Sequence, residues 1–171
     1  MPTTPATEPP AEQEPRVLPT VSPDELLMRR VLNQPKQYKS GRPVPLQEGA
    51  FLPGKRDDTG LSLTRRQSEA RPEFLTPDGF KARCSDPKIR ETAGVVQLLT
   101  SRVTALGVTV NPDPVLPDPD KGVPGDSGHV LLPEINFLDF AGPTSTEETR
   151  SRIRLWAAEL VPLAEAVILP G

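Results

Sequence analysis

His129 is the single histidine of the chain, and it follows the run Gly125-Asp126-Ser127-Gly128. Histidine is the side chain whose ordinary pKa suits proton transfer near neutral pH. Carboxylates flank it in sequence: Asp113, Asp118, Asp120 and Asp126 before it, Glu134 after it. Brought together with Asp113, Asp118, Asp126 or Glu134, His129 would act as a general base or a metal ligand, with His129, Asp113 and Glu134 the catalytic candidates. The competing expectation is a histidine at the start of a strand, hydrogen-bonded to a loop carbonyl or carboxylate.

The letters Gly125-Asp126-Ser127-Gly128 also surround the nucleophile of chymotrypsin-like serine proteases. That chemistry needs a separate histidine base, an orienting aspartate and an oxyanion hole. Here the histidine is two residues beyond Ser127, a spacing that cannot easily turn its ring onto the hydroxyl. A Gly/Asp/Ser turn entering a strand is the expectation. A divalent ion held by Asp113, Asp118 and Asp120 is a further idea, but prolines replace the glycine-bearing spacing of a calcium loop. One Cys and one His cannot supply the four N/S ligands of a zinc site. The sequence therefore implies no metal and no cofactor.

Cys84 lies between Arg83 and Ser85, two residues after Ala82 and three after Lys81. Neighbouring cations lower a thiol pKa, but without a histidine partner Cys84 reads as a packing residue or an inert thiol. A lone cysteine also forms no intramolecular disulfide, which fits a reducing compartment. Basic residues pair at Arg29-Arg30, Lys55-Arg56 and Arg65-Arg66, and cluster at Arg150, Arg152 and Arg154. On one face they would hold phosphates. Each also has acids close in sequence, so solvated ion-pairing faces are expected.

These residues must be positioned by elements, and the elements are short. Ser22-Pro23-Asp24-Glu25 carries the marks of a helix start, with Ser22 as cap, Pro23 at the first position and Glu25 at the third. With Leu26, Leu27, Arg30 and Val31 behind it, this predicts a helix to about Leu32, ended by Pro35. Phe51 is expected to anchor an irregular 33–59 loop. Asp58-Thr59-Gly60 reads as a turn, and Leu61-Ser62-Leu63-Thr64 alternates as a half-buried strand does. Residues 67–90 are again broken by prolines. Gly94–Leu99 reads as a buried strand, and Thr100–Gly107 as a short helix capped by Thr100. Val108–Val110 reads as a second strand, and Gly128–Leu132 as a third. A helix starts at Thr144 or Ser145, with Glu147 or Glu148 completing a capping box. Ile153, Trp156, Ala157, Leu160 and Val161 form its apolar stripe. Pro162 ends or kinks it, and Leu163–Leu169 would add a turn or two.

The connection between residues 94 and 110 is too brief for a standard parallel crossover. The pattern predicts an α+β domain with a small mixed or antiparallel sheet and two to four short helices. Residues 1–21 hold six Pro and three Glu and almost nothing to bury, so they are expected as a disordered tail before a single domain at 22–171.

Composition narrows the function classes. The chain has 171 residues, with 20 Lys+Arg against 23 Asp+Glu. That slightly acidic balance lacks the basic footprint of a nucleic-acid binder. Pro is abundant at 23 residues, so the chain is loop-rich. Leu, Ile, Val and Phe still supply about a quarter of it, above the ~20% floor for folding. The N-terminus has no basic and apolar leader pattern, and the longest apolar run falls short of the ~20 residues of a membrane span. A cytoplasmic protein is expected.

One resemblance adds to this. Asp24-Glu25-Leu26-Leu27, Arg29-Arg30-Val31, Gly60-Leu61-Ser62-Leu63, Gly94-Val95-Val96, Leu106-Gly107, Pro112-Asp113-Pro114 and Gly128-His129-Val130 occur in that order. The order resembles short uncharacterised bacterial proteins with an L-x-R-R start, a G-L-S-V middle and a D-P…G-H end, over about residues 24–132. It implies no activity.

Residues suited to catalysis are scarce, while the apolar C-terminal stretch suits partner recognition. The leading expectation is a non-enzymatic interaction module of a bacterial cytoplasmic system, binding another protein or a second copy. Arg29, Arg30, Trp156, Leu160, Leu163 and Val167 would carry that binding. The alternatives are a small enzyme or ligand-binding domain centred on His129 and the 111–126 loop, and, less favoured, nucleic-acid binding through the Arg pairs.

Overall fold

The computed structural model describes residues 20–32, 46–66, 92–121 and 125–168. Six strands form one antiparallel sheet: β1 (Leu26–Leu32), β2 (Leu61–Arg65), β3 (Thr92–Leu99), β4 (Asn111–Pro112), β5 (His129–Leu132) and β6 (Glu165–Ile168). Their spatial order is β4-β5-β2-β1-β3-β6. Among the described residues three α-helices accompany it: α1 (Thr100–Ala105), α2 (Phe137–Ala141) and α3 (Glu147–Leu160). The class is α+β, and of the two sheet types expected the antiparallel one is found.

Alternation along the strands builds the core. Leu27 and Val31 of β1, Leu61 and Leu63 of β2, Val96 and Leu98 of β3, and Val130 and Leu132 of β5 belong to one buried cluster. Helix α3 adds Ile153, Ala157 and Leu160 at helical spacing. It also lies against the 3-10 turn Glu48–Phe51, whose Phe51 is fully buried, as the anchoring role required. Met28 and Val95 are buried on the opposite face of the sheet.

The predicted first helix is a strand. The helix-start chemistry is present: Glu25 N donates to Ser22 O at 3.0 Å, and Ser22 N donates to Glu25 Oε1 at 3.3 Å. It closes one turn only. From Leu26 the chain pairs with β3 along its whole length, Leu26↔Leu99 through Leu32↔Thr92, and with β2 at Leu27↔Arg65 and Met28↔Thr64. Two ladders outweigh one local cap, since propensity is a weak prior against tertiary pairing.

The same turn caps α1. Thr100 N and Thr100 Oγ1 both donate to Glu25 O, and Ser101 N donates to Pro23 O. Backbone carbonyls thus take the free N–H groups of this helix, and the expected side-chain cap by Thr100 is replaced. Gly107, with φ of 84°, ends it in the left-handed region.

Three other expectations shift. The strand expected at Val108–Val110 forms instead at Asn111–Pro112, at the sheet edge, where a proline without an N–H is tolerated. The helical turns expected over Leu163–Leu169 are the short 3-10 turn Val161–Leu163 and then β6, which pairs with β3. Helix α2 is capped by Asn136, which accepts from Asp139 N, and is too short to leave a periodic pattern. The capping box of α3 is made by Thr146 and Thr149 rather than by Thr144 or Ser145 with Glu147 or Glu148.

The strands at Leu61–Thr64, Gly94–Leu99 and Gly128–Leu132 stand near their expected bounds. The turn glycine Gly60 is fitted by close approach: a Cβ there would lie 2.8 Å from Leu132 O. Val21 is buried in the core at 8% exposure, and the described chain, from residue 20, reaches two residues into the expected tail. The tail at 1–19 and the 67–90 segment, with Cys84, lie outside the described residues.

Candidate functional site

β5 brings His129 beside Asp113. The backbone does this first: Asp113 N donates to His129 O at 2.9 Å, as β4 pairs with β5 through Asn111↔Leu131 and Pro112↔Val130. The ring then follows. His129 Nδ1 lies 2.8 Å from Asp113 O and 3.1 Å from Asp113 Oδ2. Both partners only accept, so the proton sits on Nδ1 and a neutral ring keeps Nε2 as its acceptor. The His129 side chain is 17% exposed and that of Asp113 is 51% exposed.

The other sequence candidates do not join this pair. Both Glu134 oxygens accept from Thr109 N, at 3.1 and 3.0 Å, and Oε1 also accepts from Thr109 Oγ1. Asp118 accepts from Lys121 N at 3.3 Å and lies 3.9 Å from Lys121 Nζ. Asp120 is exposed in a 3-10 turn. Among the described residues, no three His, Cys, Asp or Glu side chains group closely enough to hold a metal ion.

Asp126 is the buried member of the Gly-Asp-Ser-Gly run, 1% exposed. Its Oδ2 accepts from Thr64 Oγ1 at 2.7 Å and its Oδ1 from Gly128 N at 3.0 Å. Its backbone bridges to Val115. Ser127 is exposed. The aspartate that meets the histidine is Asp113, while Asp126 ties the entry of β5 to β2. The run is a turn feeding a strand, and its serine is not activated by the histidine.

The arginine pairs divide. Arg29 stands between Leu27 and Val31 on the core side of β1, only 16% exposed. Its Nε donates to Ala50 O at 2.6 Å, its Nη1 to Ser62 O at 2.8 Å, and its Nη2 lies 3.9 Å from Asp57 Oδ2. Burial holds the Arg29 guanidinium below its ordinary pKa, against the opposing pull of the Asp57 charge. Asp57 also accepts from Gly54 N and Ser62 N. Arg65 makes a forked pair with Glu25, Nε to Oε2 at 2.5 Å and Nη2 to Oε1. That hydrogen bond lowers the Glu25 pKa. Arg30 is exposed. So neither Arg29-Arg30 nor Arg65-Arg66 turns two guanidiniums outward together, and the solvated faces expected there are half interior.

Of the C-terminal residues expected to meet a partner, Leu160 is fully buried, and Trp156 and Leu163 pack against the core. Trp156 Nε1 donates to Leu106 O at 3.2 Å. Val167 lies in β6, and its side chain is outside the described ones. The side of α3 turned away from the core carries other residues: Leu155 at 59% exposure, with exposed Ser151 and Ala158 at helical spacing around it, and exposed Pro162 in the 3-10 turn that follows. The sequence signal for this stripe was Leu155 itself, an apolar residue two positions from the core residue Ile153.

No helix among the described residues is long and apolar enough to cross a membrane. No protein-family model, curated protein or solved structure matches the chain.

Proposed function

We propose that this chain is a non-enzymatic interaction module of a bacterial cytoplasmic system, and that the outward side of α3 takes the partner protein. The observation that carries this reading is the exposed stripe Ser151, Leu155, Ala158 and Pro162, centred on a leucine 59% exposed. Leu155 and Ala158, one turn apart, are its apolar residues, and apolar residues at that spacing are how helical faces engage partners. The reading gains support from the other side. Asp126 and Glu134, two of the carboxylates suited to catalysis, are committed to hydrogen bonds within the fold.

The test is co-purification of tagged wild-type and Leu155→Glu chains from the native host. The expected result is one partner at stoichiometric yield with wild type, lost with the variant, at equal melting temperature. Equal recovery by both chains, or a wild-type chain that retains no partner and runs as a monomer, overturns the reading. A dimer of the chain itself, broken by the variant, assigns the stripe to self-association instead of a foreign partner.

A second reading, a small enzyme or ligand-binding domain centred on His129 and the 111–126 loop, draws on one observation. The Nδ1 proton is directed at Asp113, which leaves Nε2 as the acceptor that a general base uses. It expects His129→Ala to remove a cellular phenotype without lowering the melting temperature. A wild-type phenotype in that variant eliminates it.

A further inference from the structure

Between α2 and the first turns of α3 lies a cleft of about 490 Å³, lined by Phe140, Ala141, Gly142, Ser145, Arg150 and Arg154. Among the described residues two cations line it and no carboxylate does. Arg150 and Arg154 are one helical turn apart, so their Cβ atoms stand about 5–6 Å from each other. Like charges at that spacing repel when nothing lies between them. The contrast with Arg152 is direct: its Nη2 reaches Glu148 Oε1 at 3.1 Å. The Arg150 guanidinium has one long hydrogen bond, Nη2 to Ser145 Oγ at 3.5 Å. Arg154 lies over the Phe140 ring, 5.8 Å from its centre. Stacking on a ring holds the guanidinium plane and leaves its N–H edges free to donate.

We propose that this cleft binds the phosphate group of a small phosphate monoester. The Ser145 hydroxyl is engaged, donating to Phe140 O at 3.0 Å, so the two guanidinium forks are the donors, and a tetrahedral dianion offers them three oxygens. A carboxylate offers two. Guanidinium forks are suited to such oxygens because they donate two parallel N–H bonds. Phe140 and Ala141 supply an apolar wall for the body of the ester. The site needs no partner protein, so it stands apart from the Leu155 stripe. Sequence spacing marks it in part: Arg152 has a glutamate four residues before it, while Arg154 has Arg150 at that position and Arg150 has Thr146 there, with Glu147 three residues before it.

The experiment is an NMR titration of the isotope-labelled full chain with phenyl phosphate and with inorganic phosphate, at ionic strength matched by chloride. Saturable shifts confined to residues 140–154 are expected. Phenyl phosphate should bind about fivefold tighter than inorganic phosphate, from apolar area covered on Phe140. Arg150→Ala or Arg154→Ala should weaken binding about tenfold or more, the loss of charged hydrogen bonds. Arg154→Lys, which keeps charge and loses the fork, should fall between. Arg152→Ala should change it less than about twofold. Shifts that do not saturate, or equal losses from Arg152→Ala and Arg154→Ala, overturn the proposal, because general charge attraction would then explain them. Equal affinity for the two probes overturns the ester assignment.

Discussion

Arg29 and Arg154 are the same residue type in one fold, one interior and one on its surface, and they do opposite work. Arg29 sits on the core side of the central strand β1, where its β2 neighbour pairs at Leu27↔Arg65 and Met28↔Thr64. Past that point its Nη1 takes Ser62 O, its Nε takes Ala50 O, and the loop that returns to β2 is held to the sheet. Arg154 lies on the outside of α3, with an aromatic ring beneath it. The lesson is that an interior guanidinium replaces backbone hydrogen bonds, while a surface one in a cleft without acids is available to a ligand. Sequence proximity to acids does not separate the two cases. Asp57 lies 28 residues after Arg29, and they meet through the fold.

The sharpest break of this comparison is Arg29→Ala. It removes two donors from buried carbonyls and leaves the Asp57 carboxylate without its cation, so a loss of about 3 kcal/mol is expected. Urea unfolding at constant slope measures it. Arg29→Met, which fills the space without the charge, should recover part of the loss. A loss for Arg29→Ala below about 1 kcal/mol would mean that water replaces the guanidinium at no cost.

Asp126→Ala comes next, at about 2 kcal/mol, because Thr64 Oγ1 and Gly128 N would lose their acceptor in a site 1% exposed. Adding Thr64→Val removes the stranded hydroxyl, so the double variant should be more stable than the sum of the two single losses implies. Strict additivity in that double-mutant cycle would show that the Thr64–Asp126 bond carries no coupling.

What the sequence made legible follows from this contrast. The strands at Leu61–Thr64, Gly94–Leu99 and Gly128–Leu132 were legible because their apolar residues face one cluster with a period of two or a continuous run. The α3 core stripe was legible for the same reason at the helical period. The first element was not, because Ser22 and Glu25 form helix-type contacts and the deciding partners, β2 and β3, come 30 and more residues later. Arg29 was unreadable as an interior residue for a related reason. Its acceptors, Ala50 O and Ser62 O, are backbone atoms, and backbone atoms leave no mark in residue types. The His129–Asp113 pair was legible because both flank one loop. Glu134 was not separable from them, since its partner Thr109 has no distinctive spacing.

Acid should expose the second polar lock, Glu25 with Arg65. The Arg65 hydrogen bond lowers the folded Glu25 pKa. The hydrogen bond from Thr144, and then that from Asn136, do the same for Asp139. A carboxylate whose pKa is lower in the folded chain stabilises fully above its unfolded pKa. That stabilisation is lost as pH falls through the folded value. The wild-type chain should therefore lose stability below about pH 4.3, where an unfolded glutamate protonates. Glu25→Gln should cost about 1 kcal/mol near neutral pH and progressively less in acid. A constant difference between the two chains from pH 7 to pH 2 would assign the loss to packing instead of charge.

The smallest expected effect sharpens the comparison most. Arg150→Ala and Arg154→Ala should shift unfolding stability by no more than about 0.5 kcal/mol, as substitutions on an exposed helix face do. The double variant should be no less stable than wild type, because it removes two like charges one turn apart and adds a residue of higher helix propensity. If either single variant instead costs as much as Arg29→Ala, the outer arginines hold α2 against α3, and their place in the cleft is structural. Stability unchanged while phosphate affinity falls would separate the two uses of arginine in one chain. One is measured in the unfolding curve and the other only in binding.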